Sequence, residues 1–253
     1  MESWIEFGRG PLFRVAFALM LFGLLRVFAL AIYGFIEEYQ HTADHKVVWN
    51  EVRRQTLTWL FPVKRLWTKR PLYSALSFLF HVGLISVPLF LAAHVLLWRQ
   101  STGFAWPPIP QSLANWLSLL VVAAGIGLLL GRVLHAGARS ISRFQDYLWP
   151  AVLIVPFLTG YCCANLSVAP RSYQQLMFLH IYSANLIMAM LPFTKMAHCV
   201  LMPLSQAVAG VAWKLPVGAG ARVVETLGYS APVWQLEARL GGSAAPARKG
   251  DRS

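Results

Sequence analysis

Charge is scarce in this chain. Only 13% of its 253 residues are Asp, Glu, Lys or Arg, whereas 57% are hydrophobic, and the mean hydropathy is +0.53. A soluble fold of this size needs a charged surface to stay in water, and the composition excludes one. Acidic charge is scarcest, ten residues against 22 Lys and Arg, so the formal net charge is +12. Clustered basic residues can neutralise nucleic-acid phosphates. Here they crowd between apolar runs, where they set membrane topology, and no nucleic-acid partner is expected. Cysteine is almost absent as well. Cys162, Cys163 and Cys199 contain no C-x-x-C pair, which excludes covalent c-type heme attachment and leaves too few thiolates for an Fe–S cluster held by this chain alone. They read as small, polarizable packing residues. A basic amino-terminal region is missing too: Glu2 and Glu6 stand in its place, and the first apolar run is too long for a signal-peptide core, so no cleavable signal is expected. No internal repeat is present.

What the chain does have is a series of apolar stretches about 20 residues long, the length that crosses a bilayer. They predict transmembrane helices at residues 11–35, 72–98, 112–134, 147–169 and 173–203. The expected fold is an all-α integral membrane protein, a five-transmembrane-helix bundle over residues 1–203, followed by a cytoplasmic tail, 204–253. The last part of that tail, 241–253, is polar and rich in Gly and Ala, and reads as disordered. An odd number of spans puts the termini on opposite sides. Lys46, Arg53, Arg54, Lys64, Arg65, Lys69 and Arg70 lie between the first two spans, and Arg139 and Arg143 between the third and fourth, while the intervening loops carry Arg99 and Arg171. By the positive-inside rule the N-terminus lies outside and the C-terminus in the cytoplasm. Trp98, Trp106 and Trp116 then form an aromatic belt at the outer interface. The inner segment 37–70 reads as an amphipathic piece along the cytoplasmic interface, either a docking surface for a soluble partner or a basic interfacial loop.

Of the seven histidines, His81, His94, His180 and His198 fall within the expected spans, two on the second and two on the fifth. An imidazole in hydrocarbon is costly unless its nitrogens are satisfied, so each is either a hydrogen-bonded packing residue or a functional group. Neutral imidazole is also an axial ligand of heme iron, and two of them saturate the metal for electron transfer. Two histidines on each of two facing helices could clamp two hemes b within the bundle. On one continuous helix, His180 and His198 would share a face about 27 Å apart, one near each membrane surface. His81 and His94 fit less well, because 13 residues leave a net rotation of about 220°. Pro88 lies between them and could kink or re-phase the helix.

Other candidates have simpler readings. His135 sits at the inner end of the third span as a solvated interfacial residue. His41 and His45 have a spacing that could chelate a metal on a helix, without the further ligands a site requires. Arg26, well inside the first span, needs a partner; a heme propionate, snorkelling and a backbone carbonyl are the alternatives.

The fifth span also carries a recognisable pattern. Leu179-His180, then Leu191-Pro192-Phe193-Thr194-Lys195, then His198 and Pro203 resemble the last helix of the respiratory nitrate reductase gamma subunit family, in which a Pro-Phe-Ser/Thr-Arg/Lys box stands between two histidines. Phe80-His81-Val82-Gly83 and Gly23-Leu24-Leu25-Arg26 resemble that family's second-helix and first-helix motifs. The likeness covers the five spans and extends to cytochrome b subunits of sulfite-reductase-associated and high-molecular-weight cytochrome complexes. It implies a membrane subunit of the prokaryotic inner membrane that binds two hemes b and moves electrons between a quinone, menaquinone or ubiquinone, and a cytoplasmic Fe–S oxidoreductase subunit. A periplasmic cytochrome c or further membrane subunits would be additional partners. By position, the resemblance implies that His81 and His198 hold the cytoplasm-side heme and His94 and His180 the outer one. Two departures stand out: the spacing from His81 to His94 is longer than in the gamma subunits, and a lysine of their quinol site is replaced here by Gln111 and Ser112. The opposing expectation is a non-redox transporter or assembly scaffold whose histidines relay protons or fill polar gaps.

Overall fold

The computed structural model describes residues 1–41, 49–60, 68 and 71–209. Helix α1 (Glu2–Phe7) passes through a π-helical turn (Gly8–Leu12) into α2 (Phe13–His41). There follow α3 (Trp49–Leu60), α4 (Pro71–Phe90), α5 (Ala92–Thr102), α6 (Gln111–Leu134), α7 (Ala136–Ile141), α8 (Gln145–Asn165) and α9 (Pro170–Met190). Two 3₁₀ turns, Leu191–Phe193 and Lys195–Ala197, then lead into α10 (His198–Ala209). Five stretches are long and apolar enough to cross a membrane: Glu2–Glu37, Pro71–Phe90, Gln111–Leu134, Gln145–Asn165 and Pro170–Phe193. The chain is a multi-pass helical membrane protein, as its apolar runs predict.

The boundaries differ from the expected ones where backbone chemistry intervenes. The first helix starts before Pro11, because the wide π-turn accommodates a residue that has no N–H to donate. The Gly8 carbonyl in that turn accepts from Asn185 Nδ2 at 3.0 Å. The second span is not one helix over 72–98: Leu91 is extended (φ −64, ψ 133) and separates α4 from α5. The fifth is not one helix over 173–203 either. It is interrupted between Leu191 and Ala197, with Thr194 extended between the two 3₁₀ turns.

Residues Met1–Arg26 and Pro62–His198 form one compact unit. Within it α4 packs on α6, α6 on α8, and α8 on α9, while α1 and the π-turn pack on α9. The core of the α4–α6–α8 layer is Phe80, Val87, Val121, Ala124 and Phe157. Gly83 allows a close approach of two backbones: a Cβ there would lie 2.9 Å from the Leu117 carbonyl oxygen, a backbone atom that cannot move aside. Small residues at such crossings let helices pack in lipid, where no hydrophobic force drives them together. Hydroxyl and amide groups in the layer find internal partners, as hydrocarbon requires, whereas the buried Trp149 Nε1 on α8 has none among the described residues. Ser118 donates to the Ala114 carbonyl and Thr159 to that of Val155. Asn115 and Asn165 exchange hydrogen bonds of 2.6 and 3.2 Å between α6 and α8.

Residues Val27–Phe61 and Cys199–Ser253 form a second unit. Its helix α3 buries Val52 and exposes Arg53 and Arg54, along with Trp49 and Leu57; residues 42–48, 61–67, 69 and 70 of segment 37–70 lie outside those described. The expectation of a disordered tail falls on residues outside those described, as does His45.

Candidate functional site

The break at Leu91 decides where His94 points. A helix interrupted in hydrocarbon leaves carbonyls without partners, and a break is stable only where other groups supply donors. Two such donors are present. Trp106 Nε1–H donates to the Leu89 carbonyl at 2.8 Å and the Ile109 N–H to that of Phe90 at 2.9 Å. His94 Nδ1–H donates at 3.1 Å to the Val87 carbonyl, which also accepts from the Leu91 N–H. The Pro-rich loop after α5 thus straps the break, with Ile109 pairing alongside Leu91. Pro88 lies inside α4, and the re-phasing that brings His94 around occurs at Leu91.

A second break presents His198. In the Pro-Phe-Thr-Lys box each residue but phenylalanine has a visible structural task. Pro192 is buried against Gly23, where a Cβ would lie 2.5 Å from the proline ring. Thr194 caps the second 3₁₀ turn through its hydroxyl. The Lys195 ammonium is bound to Asp146, and its carbonyl accepts from His198 Nδ1–H at 2.8 Å. The remaining two histidines sit within unbroken helices. His81 Nδ1–H donates to the Ser77 carbonyl one turn earlier, at 2.7 Å. His180 Nδ1–H donates across to the Pro156 carbonyl on α8, at 2.8 Å. Gly160 makes room for that approach: a Cβ there would lie 2.8 Å from His180 Cε1 and 3.0 Å from Nδ1.

All four histidines therefore share one arrangement. A carbonyl cannot donate, so the Nδ1 facing it carries the proton, and Nε2 is left with a free lone pair. This is the second-sphere bond that orients metal-ligating histidines. The rings meet in pairs. His81 and His198 have ring centres 6.1 Å apart with planes at 84°, and His94 and His180 have centres 6.0 Å apart with planes at 9°. An imidazole nitrogen binds a metal at about 2.0–2.1 Å and lies about 1.1 Å from its own ring centre, so rings on opposite sides of one metal have centres about 6.3 Å apart. Both pairs fall close to that separation.

Two imidazoles cannot hold a bare zinc ion, which takes four ligands, and no group of three or more His, Cys, Asp or Glu residues is placed to hold a metal among the described residues. A heme brings its equatorial nitrogens with it and asks the protein for axial ligands only. Helices α4 and α9 are not packed closely on each other, and the histidine pairs join His81 and His94 of the α4–α5 segment to His180 of α9 and His198. The donor set, its protonation and its spacing fit two b-type hemes.

The other sequence candidates stand apart from these pairs. Arg26 is exposed on α2, and its side chain has no hydrogen bond or ion pair among the described residues. His135 is exposed and caps α7, its Nδ1 accepting from the Ala138 N–H. His41 ends α2. The cysteines are unpaired, with Cys162 and Cys163 half-buried. Sequence reasoning overlooked Trp106, Asp146, Pro156 and Gly160 as neighbours of the histidines. The only prior signal was a polar or helix-breaking residue within an apolar run. At the end of the unit where α1 meets α9, a cleft of about 460 Å³ is lined by Glu2, Glu6, Arg9, Tyr173, Gln174 and Met177, among others.

No family model matches the chain, and no solved structure does. A protein of Nitratidesulfovibrio vulgaris, recorded simply as "Protein", is 31% identical over 170 residues, covering 67% of this chain and 74% of its own length. That name assigns no activity. On this similarity the chain belongs to one family with the Nitratidesulfovibrio vulgaris protein.

Proposed function

We propose that this chain is a diheme cytochrome b, the membrane subunit of a respiratory complex. The observation that carries the reading is the pair of histidine sets, His81 with His198 and His94 with His180, with ring centres 6.1 and 6.0 Å apart and each ring tied through Nδ1 to a backbone carbonyl, which leaves Nε2 free to ligate. The resemblance of the histidine motifs to the nitrate reductase gamma subunit family supports it. When bound, the hemes would supply reversible one-electron transfer at saturated, bis-histidine iron. The chain's own part is to hold the rings in fixed tautomers and orientations, to keep the two centres at different depths, and to exclude water with the α4–α6–α8 layer.

The orientation follows from charge. Arg132, Arg139, Arg143 and Lys195 gather where α6 ends and α8 begins, and the positive-inside rule puts this end in the cytoplasm. His81 and His198 would then form the cytoplasm-side centre, facing an Fe–S partner subunit, and His94 and His180 the outer one. Quinone exchange belongs to the outer end. Gln111, near the position of the gamma subunits' lysine, donates to Asn115, which is itself paired with Asn165. The cleft lined by Arg9, Tyr173 and Met177 is the better candidate: its volume lies within the range of small-molecule sites, and Met177 lies one helical turn before His180.

The test is a visible spectrum of the purified protein with a heme count. Two b-type hemes per chain, reducible by dithionite and, in the intact complex, by a quinol analogue, are the expected result. Protein that folds without a b-type absorption band would end this reading in favour of a non-redox transporter or scaffold. Hemes reducible by dithionite but never by quinol would remove the quinone role alone.

A further inference from the structure

The geometry points to Asp146 as the positioning residue of the His81–His198 centre, acting through Lys195; this rests on reading that centre as a heme site. His81 takes its orienting carbonyl from Ser77, within the regular ladder of α4. His198 has less support. Its carbonyl belongs to Lys195, which starts a 3₁₀ turn directly after the extended Thr194 and accepts there from the His198 backbone N–H as well as from its ring, so one isolated turn, not a continuous helix, directs that C=O group. The turn itself takes an anchor from outside the segment.

The first turn of α8 supplies it. Both Asp146 carboxylate oxygens accept from the Lys195 ammonium, at 2.8 Å for Oδ1 and 2.7 Å for Oδ2. The neighbouring Gln145 Oε1 accepts from the Lys195 backbone N–H at 3.4 Å. Lys195 is therefore held at its backbone and at the far end of its side chain. Asp146 is itself fixed, accepting from the Arg143 N–H at 2.8 Å, with an Arg132 guanidinium nitrogen 3.9 Å from Oδ1. An isolated exposed ion pair contributes little, but one with bidentate geometry inside a network of charges is the recognised exception. Here the Asp146 side chain is only 16% exposed, against 50% for that of Lys195. The chain of contacts runs from Asp146 to Lys195, from the Lys195 carbonyl to His198 Nδ1, and from His198 toward the facing ring of His81. Among the described residues no equivalent link reaches His94 or His180, whose carbonyls come from Val87 and Pro156.

Loss of an orienting group of this kind lowers metal affinity about 10- to 100-fold. The experiment uses full-length protein and follows each centre by low-spin ferric electron paramagnetic resonance and by an optical redox titration. In Asp146→Asn and Lys195→Gln, the signal and midpoint potential of one centre should change, and that centre should lose heme about 10- to 100-fold more readily. It should be the centre that His198→Ala abolishes. Lys195→Arg, which keeps the charge and the donors, should behave as wild type. Should Asp146→Asn fail to accumulate, Lys195→Gln breaks the same link from its more exposed side. Wild-type signals and potentials at both centres in these variants would overturn the assignment, and so would equal changes at both. Wild-type protein without bis-histidine signals would overturn the heme reading itself, before any variant is made.

Discussion

His94 and His180 face each other with their ring planes 9° apart and their centres 6.0 Å apart, although one ring comes from the first turn of a restarted helix and the other from the middle of α9. The His81–His198 pair has nearly the same separation but crossed planes, at 84°. The rings are anchored differently: the Nδ1 atoms of His81 and His94 are tied to carbonyls of α4, that of His180 to a carbonyl of α8, and that of His198 to the 3₁₀ turn before it.

Crossed and parallel axial rings give iron different ligand fields. The oxidised protein should therefore show two distinct low-spin signals of equal weight. One signal carrying the intensity of two hemes per chain would show that the two ring geometries do not survive heme binding.

Each ligand should matter to one centre only. His81→Ala and His198→Ala should lose the same heme, and His94→Ala and His180→Ala the other, leaving about one heme per chain, because a single axial ligand cannot saturate the iron. His135→Ala should lose none, since that Nδ1 is already occupied as a helix cap. A His81→Ala protein with both signals intact, together with a His135→Ala protein missing one, would move the site to α6.

Gly160 is a test of close approach. A methyl group there would sit 2.8 Å from the His180 ring, so Gly160→Ala should push His180 off the Pro156 carbonyl. Overpacking of this sort costs about 1–3 kcal/mol. The His94–His180 signal should shift or vanish while the other centre stays as it was. Unaltered spectra for both would mean that α8 and α9 yield without disturbing the ring.

Trp106 tests the strap across the helix break. Trp106→Phe keeps an aromatic ring beside Trp98 and removes the donor to the Leu89 carbonyl. Its loss should destabilise the protein by about 1 kcal/mol, the low end of the cost of leaving an acceptor unpaired, since this contact is part-buried. Thermal unfolding followed by heme absorbance should show the His94–His180 centre releasing first. Simultaneous release of both hemes at the wild-type temperature would assign the strap no such role.

The sequence by itself determined the five helices and the chemistry available inside them. Apolar runs about 20 residues long have few alternatives to a membrane helix, and four histidines with a Pro-Phe-Thr-Lys box are legible without coordinates, although only His81 and His180 lie within the candidate spans, which end at Phe90 and Phe193. Only the tertiary structure decided how those histidines face. Helical periodicity argued against His81 and His94 sharing a side, and it treated His180 and His198 as residues of one unbroken helix. Both arguments assumed regular backbone, and the chain departs from it at Leu91 and between Leu191 and Ala197. Such departures are stable in hydrocarbon only when the freed backbone groups find partners. The supports come from elsewhere in the chain: Trp106 for the Leu89 carbonyl, Pro192 against Gly23, and Asp146 for Lys195. These contacts join residues up to 169 positions apart, as Gly23 and Pro192 are (192 − 23 = 169). No local pattern encodes them, because the free energy that holds each break is supplied by a segment that only folding brings near.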